Sequence, residues 1–275
     1  MSLSLRMTFY ALLYGAYLIL FTVCMYIITH RQGCVRKLQI IAIVALFAIA
    51  TLGFIFSCIF TNLSIKGDLI LAGISSMVVF GLYILANIIA DVILIHRCFK
   101  IWGSKKKVIA LPVFIAIINN GFALAQLILG VFKLEQLEDF SLQFSLGLTV
   151  LLDLSVLDPG LLWPFLITNF LTNLFIPLVI AGRIWWIGRQ VSKFLPSRFN
   201  PTRHSIAVCL ESGIMYPLAL IPALLIIPQL SKVFLIPILI QVVGIAPTFI
   251  IVRVALGISI ESVQDSIHGD TFGED

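Results

Sequence analysis

The sequence predicts an all-α membrane protein: a bundle of seven transmembrane helices, N-terminus outside and C-terminus cytosolic. Three observations carry this. Of the 275 residues, 60% are apolar and only 11% charged, against about 25% charged in a soluble domain. Seven apolar stretches, each near the roughly 20 residues that cross a bilayer, fill almost the whole length from Thr8 to Leu256. The basic residues concentrate in alternate links, which marks those links as cytosolic.

The spans are expected at about 8–29, 38–60, 75–97, 108–131, 161–186, 205–227 and 233–256. The first lacks a small-residue cleavage pattern after a short apolar core, so it is read as a span rather than a leader. The link after it carries Arg31, Arg36 and Lys37. The link after span three runs from Arg97 to Lys107 and includes Lys105, Lys106 and Lys107 in a row. Arg183, Arg189, Lys193, Arg198 and Arg203 follow span five. The alternate links hold only Lys66, Lys133 and Lys232, beside Asp68, Glu135, Glu138, Asp139, Asp153 and Asp158. Trp102, Trp185 and Trp186 fit an inner interface and Trp163 an outer one, where amphipathic rings settle. The longest outer link, 132–160, contains Phe140-Ser141-Leu142-Gln143-Phe144-Ser145-Leu146, whose alternation suits a hairpin or an amphipathic cover for the outer mouth. Residues 1–260 thus form one transmembrane domain, and 261–275 an acidic, disordered cytosolic tail. Pro177, Pro217, Pro222, Pro237 and Pro247 fall within spans five to seven, where a missing backbone N–H kinks a helix.

The net charge of +5 lies in short links rather than on one folded face, so nucleic acid is not an expected partner; membrane lipids are. Of the five cysteines only Cys58 is near the outer side, which leaves no extracellular pair. Cys34 and Cys98 adjoin basic loops and are either palmitoylation candidates or free thiols at a membrane edge. His30, His96, His204 and His268 all fall at span edges or in the tail, so no converging zinc set is expected. Neither a Gly-x-Ser-x-Gly elbow nor a phosphate-cradling glycine loop is present. No catalytic, cofactor or metal site is expected, and the chain is not read as an enzyme.

What remains is polar chemistry inside the spans. A charge at mid-bilayer costs about 2.5–3.5 kcal/mol on insertion scales, so such residues face the bundle. Tyr83, Asn87 and Asp91 recur every four residues and share one helix face. Asp91 lies six residues before Arg97, about 9 Å from the inner end. Glu211 on span six and Arg253 near the end of span seven fall at a similar depth. Asp91, Glu211, Arg253 and Arg183 are therefore expected to form a charge cluster in the cytosolic third. It reads as a static network fixing helix register, as a switch holding the inner face closed, or as a proton or ion path. Tyr83, Asn87, Asn169, Asn173, Gln241 and Thr248, with Asn119, Asn120 and Gln126 on span four, are candidates to line a cavity for a small ligand. They serve equally as pairwise helix contacts, worth roughly 0.6 kcal/mol each.

Several of these positions fall in longer matching runs: Tyr14-Gly15-Ala16-Tyr17, Asp91 through Arg97 to Ile101-Trp102, Arg183-Ile184-Trp185, and Glu211-Ser212-Gly213 with Tyr216. The longest is Gly244-Ile245-Ala246-Pro247-Thr248-Phe249-Ile250-Ile251-Val252-Arg253-Val254-Ala255-Leu256-Gly257. On these runs the chain resembles a large family of seven-transmembrane-helix proteins of mushroom-forming (basidiomycete) fungi. The resemblance covers nearly the whole chain and implies a fungal source and a seven-span fold. It carries over no ligand, reaction or partner.

The leading functional expectation is a receptor-like sensor. A small lipophilic or amphipathic ligand would enter from the outer side between spans three, five, six and seven, and a cytosolic signalling partner would meet the basic loops. The alternatives are a transporter or lipid-handling protein using Asp91 and Glu211 as proton or cation sites, and a non-signalling structural membrane protein.

Overall fold

The structure, a computed structural model, describes residues 3–30, 37–102, 106–141, 159–191, 214–221 and 235–252. Every regular element among them is helical. The five long helices are α1 (Leu3–His30), α2 (Lys37–Lys66), α3 (Leu69–Ile101), α4 (Lys106–Ser141) and α5 (Pro159–Val191). Two further helical segments follow, α6 at 214–221 and α7 at Ile236–Val252. Met7–His30, Gln39–Lys66, Ile70–Ile101, Ala110–Glu135 and Leu162–Ile187 are each long and apolar enough to cross a membrane. The chain is a helical, multi-pass membrane protein.

The helices outrun the expected spans. At 28 to 36 residues they reach roughly 42–54 Å at 1.5 Å per residue, beyond a hydrocarbon core of about 30 Å. α3 begins at Leu69 rather than near 75, and α2 continues past 60. The polar residues there sit in the helix with their hydroxyls satisfied: Thr61 and Ser64 donate to the carbonyls four residues back, both at 2.8 Å, as Ser57 does within the span at 2.6 Å. The helix stops at Gly67, whose φ of +83° only glycine adopts without strain. Asp68 N–H then closes back on the Leu63 carbonyl at 3.2 Å, the bond pattern of a Schellman cap. Two residues alone separate α2 from α3. α4 likewise runs on to Ser141, ten residues past the expected end, and Leu134 packs against the main core. Of the expected outer link, residues 142–158 lie outside the described residues, as do the flanks of spans six and seven.

Neighbouring long helices pack in sequence order, α1 on α2, α2 on α3, α3 on α4 and α4 on α5. α3 also packs on α5, with Phe80 against Phe165 and Tyr83 against Phe165. Farther along, Cys98 sits with Ile176 and Ile180, so these two helices run parallel. α3 is the axis of the molecule: the main core gathers Val79, Phe80, Tyr83, Ile84 and Ala86 around it with residues of α1, α2, α4, α5, α6 and α7. Outside that core the surface is apolar. Leu12, Ile19, Ile41 and Ile117 are each 65–68% exposed, a cost in water but not against acyl chains. Cys98 is fully buried, which removes its thiol as a palmitoylation candidate; Cys34 lies outside the described residues.

Lipid gives apolar helices little reason to prefer each other over acyl chains, so close packing uses small residues. α7 shows this against α1 and α2. The Gln241 amide donates to the Ala50 carbonyl at 3.0 Å, and Ile240 lies over Gly53. One turn on, the Tyr17 phenol lies directly on Gly244, where an added Cβ would stand 2.6 Å from its hydroxyl oxygen and 2.7 Å from two ring carbons. The phenol reaches the α7 backbone there because Gly244 has no side chain to hold it off. Gly244→Ala is therefore expected to lower the melting temperature of the detergent-purified protein, by the equivalent of about 1–3 kcal/mol for an overpacked site. Adding Tyr17→Ala should recover part of that loss, read as a coupling in a double-mutant cycle.

Candidate functional site

The polar residues of α3 converge on the bundle axis. Tyr83, Asn87 and Asp91, four apart, are 1%, 1% and 2% exposed. Opposite them α5 presents Asn169 and Asn173, α4 presents Asn119, and α6 presents Tyr216, all buried.

Asn169 is the hub. Its Nδ2 donates to Tyr83 Oη at 2.8 Å and to Tyr216 Oη at 2.7 Å. Its Oδ1 accepts from Asn173 Nδ2 at 2.7 Å and from Asn119 Nδ2 at 3.5 Å. A carboxamide has two donor hydrogens and two acceptor lone pairs, so Asn169 is fully engaged. Tyr83 Oη and Tyr216 Oη also bond each other at 2.9 Å. Asn173 Nδ2 donates in addition to the Asn169 carbonyl at 3.0 Å. Pro177, inside α5, has no N–H to return to the Asn173 carbonyl, so that carbonyl, beside the hub, lacks its helical hydrogen bond.

From the hub a directional chain descends α3. Tyr216 Oη donates to Asn87 Oδ1 at 3.5 Å, and Asn87 Nδ2 donates to Asp91 Oδ2 at 3.3 Å. These last links are long, so the strong part of the site is the knot of Tyr83, Tyr216, Asn169 and Asn173. At the end of the chain, Asp91 Oδ1 has no hydrogen-bond partner among the described residues. The Asn120 side chain adjoins the same carboxyl.

The expected charge cluster is not assembled among the described residues. Glu211 and Arg253 lie outside them. Arg183 does not join Asp91: its guanidinium lies 4.9 Å from the Trp102 ring centre and 4.4 Å from that of Trp186. Since α3 and α5 run parallel and the Arg183 guanidinium lies over Trp102, it falls at a level about three turns, roughly 16 Å, beyond Asp91. Two indole faces there hold a planar cation. Of the six candidate cavity residues, Tyr83, Asn87, Asn169 and Asn173 meet in the network. Gln241 and Thr248 do not: Gln241 bonds α2, and Thr248 donates to the Gly244 carbonyl at 2.8 Å beside Tyr17.

Sequence reasoning alone does not place Tyr216 in this set. The available signal is the phenol itself, since a tyrosine within an apolar span brings a hydroxyl that needs a partner. Gln126, fully buried on α4, has neither side-chain polar atom bonded among the described residues.

No family model, curated protein or solved structure matches this chain. The site is therefore read from its own chemistry. It holds no pairing of nucleophile and base; it is a set of neutral amides and phenols ending on one carboxyl.

Replacing Asn169 by leucine leaves two phenols and two carboxamides short of a partner, and each buried polar group so stranded costs about 1–3 kcal/mol. Asn169→Leu should therefore lower the melting temperature more than Tyr83→Phe or Tyr216→Phe, each of which removes only one hydroxyl. A double-mutant cycle on the two phenylalanine changes should give a coupling of about 0.6 kcal/mol, and not more than about 1.7.

Proposed function

We propose that the chain is a seven-span, receptor-like sensor of a small lipophilic or amphipathic ligand. In this reading it sits in the plasma membrane with an outer N-terminus and a cytosolic C-terminus. The observation that carries the reading is the Asn169 hub: one carboxamide of α5 is bonded to α3 through Tyr83, to α4 through Asn119 and to α6 through Tyr216. A ligand that displaces any one of these bonds leaves the others to be remade, so three helices respond to one event. Packed interiors switch between discrete arrangements rather than deforming gradually. The response then has a rigid route. α3 and α5 continue side by side from the hub to Trp102 and Arg183, next to the basic loops where a cytosolic signalling partner would bind.

A second reading takes support from the Asp91 carboxyl inside the bundle. There the chain would move a substrate or handle lipid, with Asp91 and Glu211 as proton or cation sites. Proteoliposomes separate the two. Transport requires a flux that Asp91→Asn and Glu211→Gln abolish, whereas a sensor shows none.

The sensor itself is tested by melting the detergent-purified chain against lipids and small lipophilic metabolites. A binder present at 100 times its Kd stabilises by about 2.7 kcal/mol, and the shift should shrink in Tyr216→Phe. A screen in which no compound class moves the melt removes the reading. Orientation is checked separately. A cysteine at exposed Ser64, in a background without the native cysteines, should react with a membrane-impermeant thiol reagent on intact cells.

A further inference from the structure

Arg183 carries a charge that the described part of the fold does not answer. Its side chain is half-buried near the end of α5, with the guanidinium 4.9 Å from the Trp102 ring centre and 4.4 Å from that of Trp186. Ring faces attract a planar cation but leave the N–H groups at its edge unused. Arg183 Nε has no acceptor among the described residues, and neither has Nε1 of Trp102, on one of the rings it stacks against.

The sequence offers no carboxylate nearby. Neither Asp nor Glu occurs before Asp68, between Asp91 and Glu135, or between Asp158 and Glu211. Those stretches take in α1, α2, the last turns of α3, most of α4 and all of α5. Asp91 itself is about three turns away along α3. The surface beside Arg183 is apolar. Leu171, Phe175, Leu178 and Gly182 recur at spacings of four, three and four, so they share one face of α5, and all are exposed. The stripe leads to Trp186, one turn beyond Gly182. At Gly182 nothing lies within 4 Å of where a Cβ would stand, so the helix surface is bare there. An acyl chain has room along this stripe, with its headgroup level with tryptophans of the kind that mark a membrane interface.

We propose that Arg183, held between Trp102 and Trp186, binds the phosphate of an anionic phospholipid whose acyl chain lies along that stripe. The edge of a guanidinium matches two phosphate oxygens at once, and the two indoles fix the plane in which that edge lies. Net charge selects the lipid. A zwitterionic headgroup brings its own cation to the phosphate, whereas an anionic one takes its positive partner from Arg183. Basic sites between helices at the inner side of a membrane are a recurrent form of headgroup recognition. Which leaflet supplies the lipid rests on the orientation proposed above. The site itself does not, and it stands whether the chain signals or transports.

The test titrates the detergent-purified full chain with phosphatidylglycerol, with phosphatidylcholine of the same acyl chains, and with inorganic phosphate at one ionic strength. Binding is read by native mass spectrometry and by thermal melts. Phosphatidylglycerol should bind saturably and raise the melting temperature, and neither phosphatidylcholine nor inorganic phosphate should do so at the same concentration. Arg183→Gln should weaken that binding by roughly 10–100-fold, as expected for lost hydrogen bonds to a charged group. Arg189, exposed and stacked on Trp185 at 5.0 Å, is the control. Arg189→Gln should cost no more than the roughly fivefold that any basic residue near an anionic surface contributes. If Arg183→Gln yields no folded protein, Trp186→Leu decides. It keeps the charge and removes one of the two faces that orient it, so affinity should fall roughly two- to fivefold. Equal effects of the two lipids, replacement of the lipid by inorganic phosphate, equal losses in Arg183→Gln and Arg189→Gln, or an unchanged affinity in Trp186→Leu would overturn the proposal.

Discussion

A carboxamide inside a bilayer has no water to answer it, and the arrangement of the central helices follows from meeting that requirement at Asn169. Apolar contacts cannot fix how a helix is rotated in lipid, because a leucine gains little by facing a neighbour rather than an acyl chain. A side chain with two hydrogens to give and two lone pairs to fill is different. Asn169 finds Tyr83, Tyr216, Asn173 and Asn119 in one place, and that match sets the rotation of α5 against α3, α4 and α6. The surrounding aromatic core, with Phe165 edge-on to both Phe80 and Tyr83, keeps the site dry and so raises the cost of any alternative arrangement.

The bundle has two further points of definition, one on either side of this centre. On one, Tyr17 of α1 lies against Gly244 of α7, and Gln241 reaches across to the α2 backbone. On the other, Cys98, Ile176 and Ile180 form a small apolar cluster capped by Arg183 between Trp102 and Trp186. The first depends on shape and the second on cation–aromatic attraction, so the three regions use unlike forces. A helix shift at one of them need not be matched at the others.

Much of this was legible in the sequence, and the reasons differ from residue to residue. Five long helices are apparent from apolar run lengths alone. That Tyr83, Asn87 and Asp91 share a buried face follows from a spacing of four. The length of α2 was not legible: Thr61 and Ser64 look like a polar link, and only their bonds back to their own helix show how their hydroxyls are met as the chain stays coiled to Gly67. Arg183 was expected near Asp91 on the argument of depth. Depth ignores register, and two indoles hold its guanidinium about three turns away. The partner of Tyr17 lies more than two hundred residues along the chain, at a glycine whose significance is the absence of a side chain. No local pattern announces such a contact. Glu211 and Arg253, chosen by the same depth argument, fall outside the described residues.

The turn at Gly67 and Asp68 has a consequence for how the molecule is made. Two residues of extended chain reach only about 7 Å, far short of letting one helix enter the membrane while its neighbour waits outside. α2 and α3 therefore enter the bilayer as a single hairpin. Since α2, α4 and α5 all pack on α3 and α1 packs on α2, the axis of the bundle arrives already paired, and the remaining helices assemble onto a template of two.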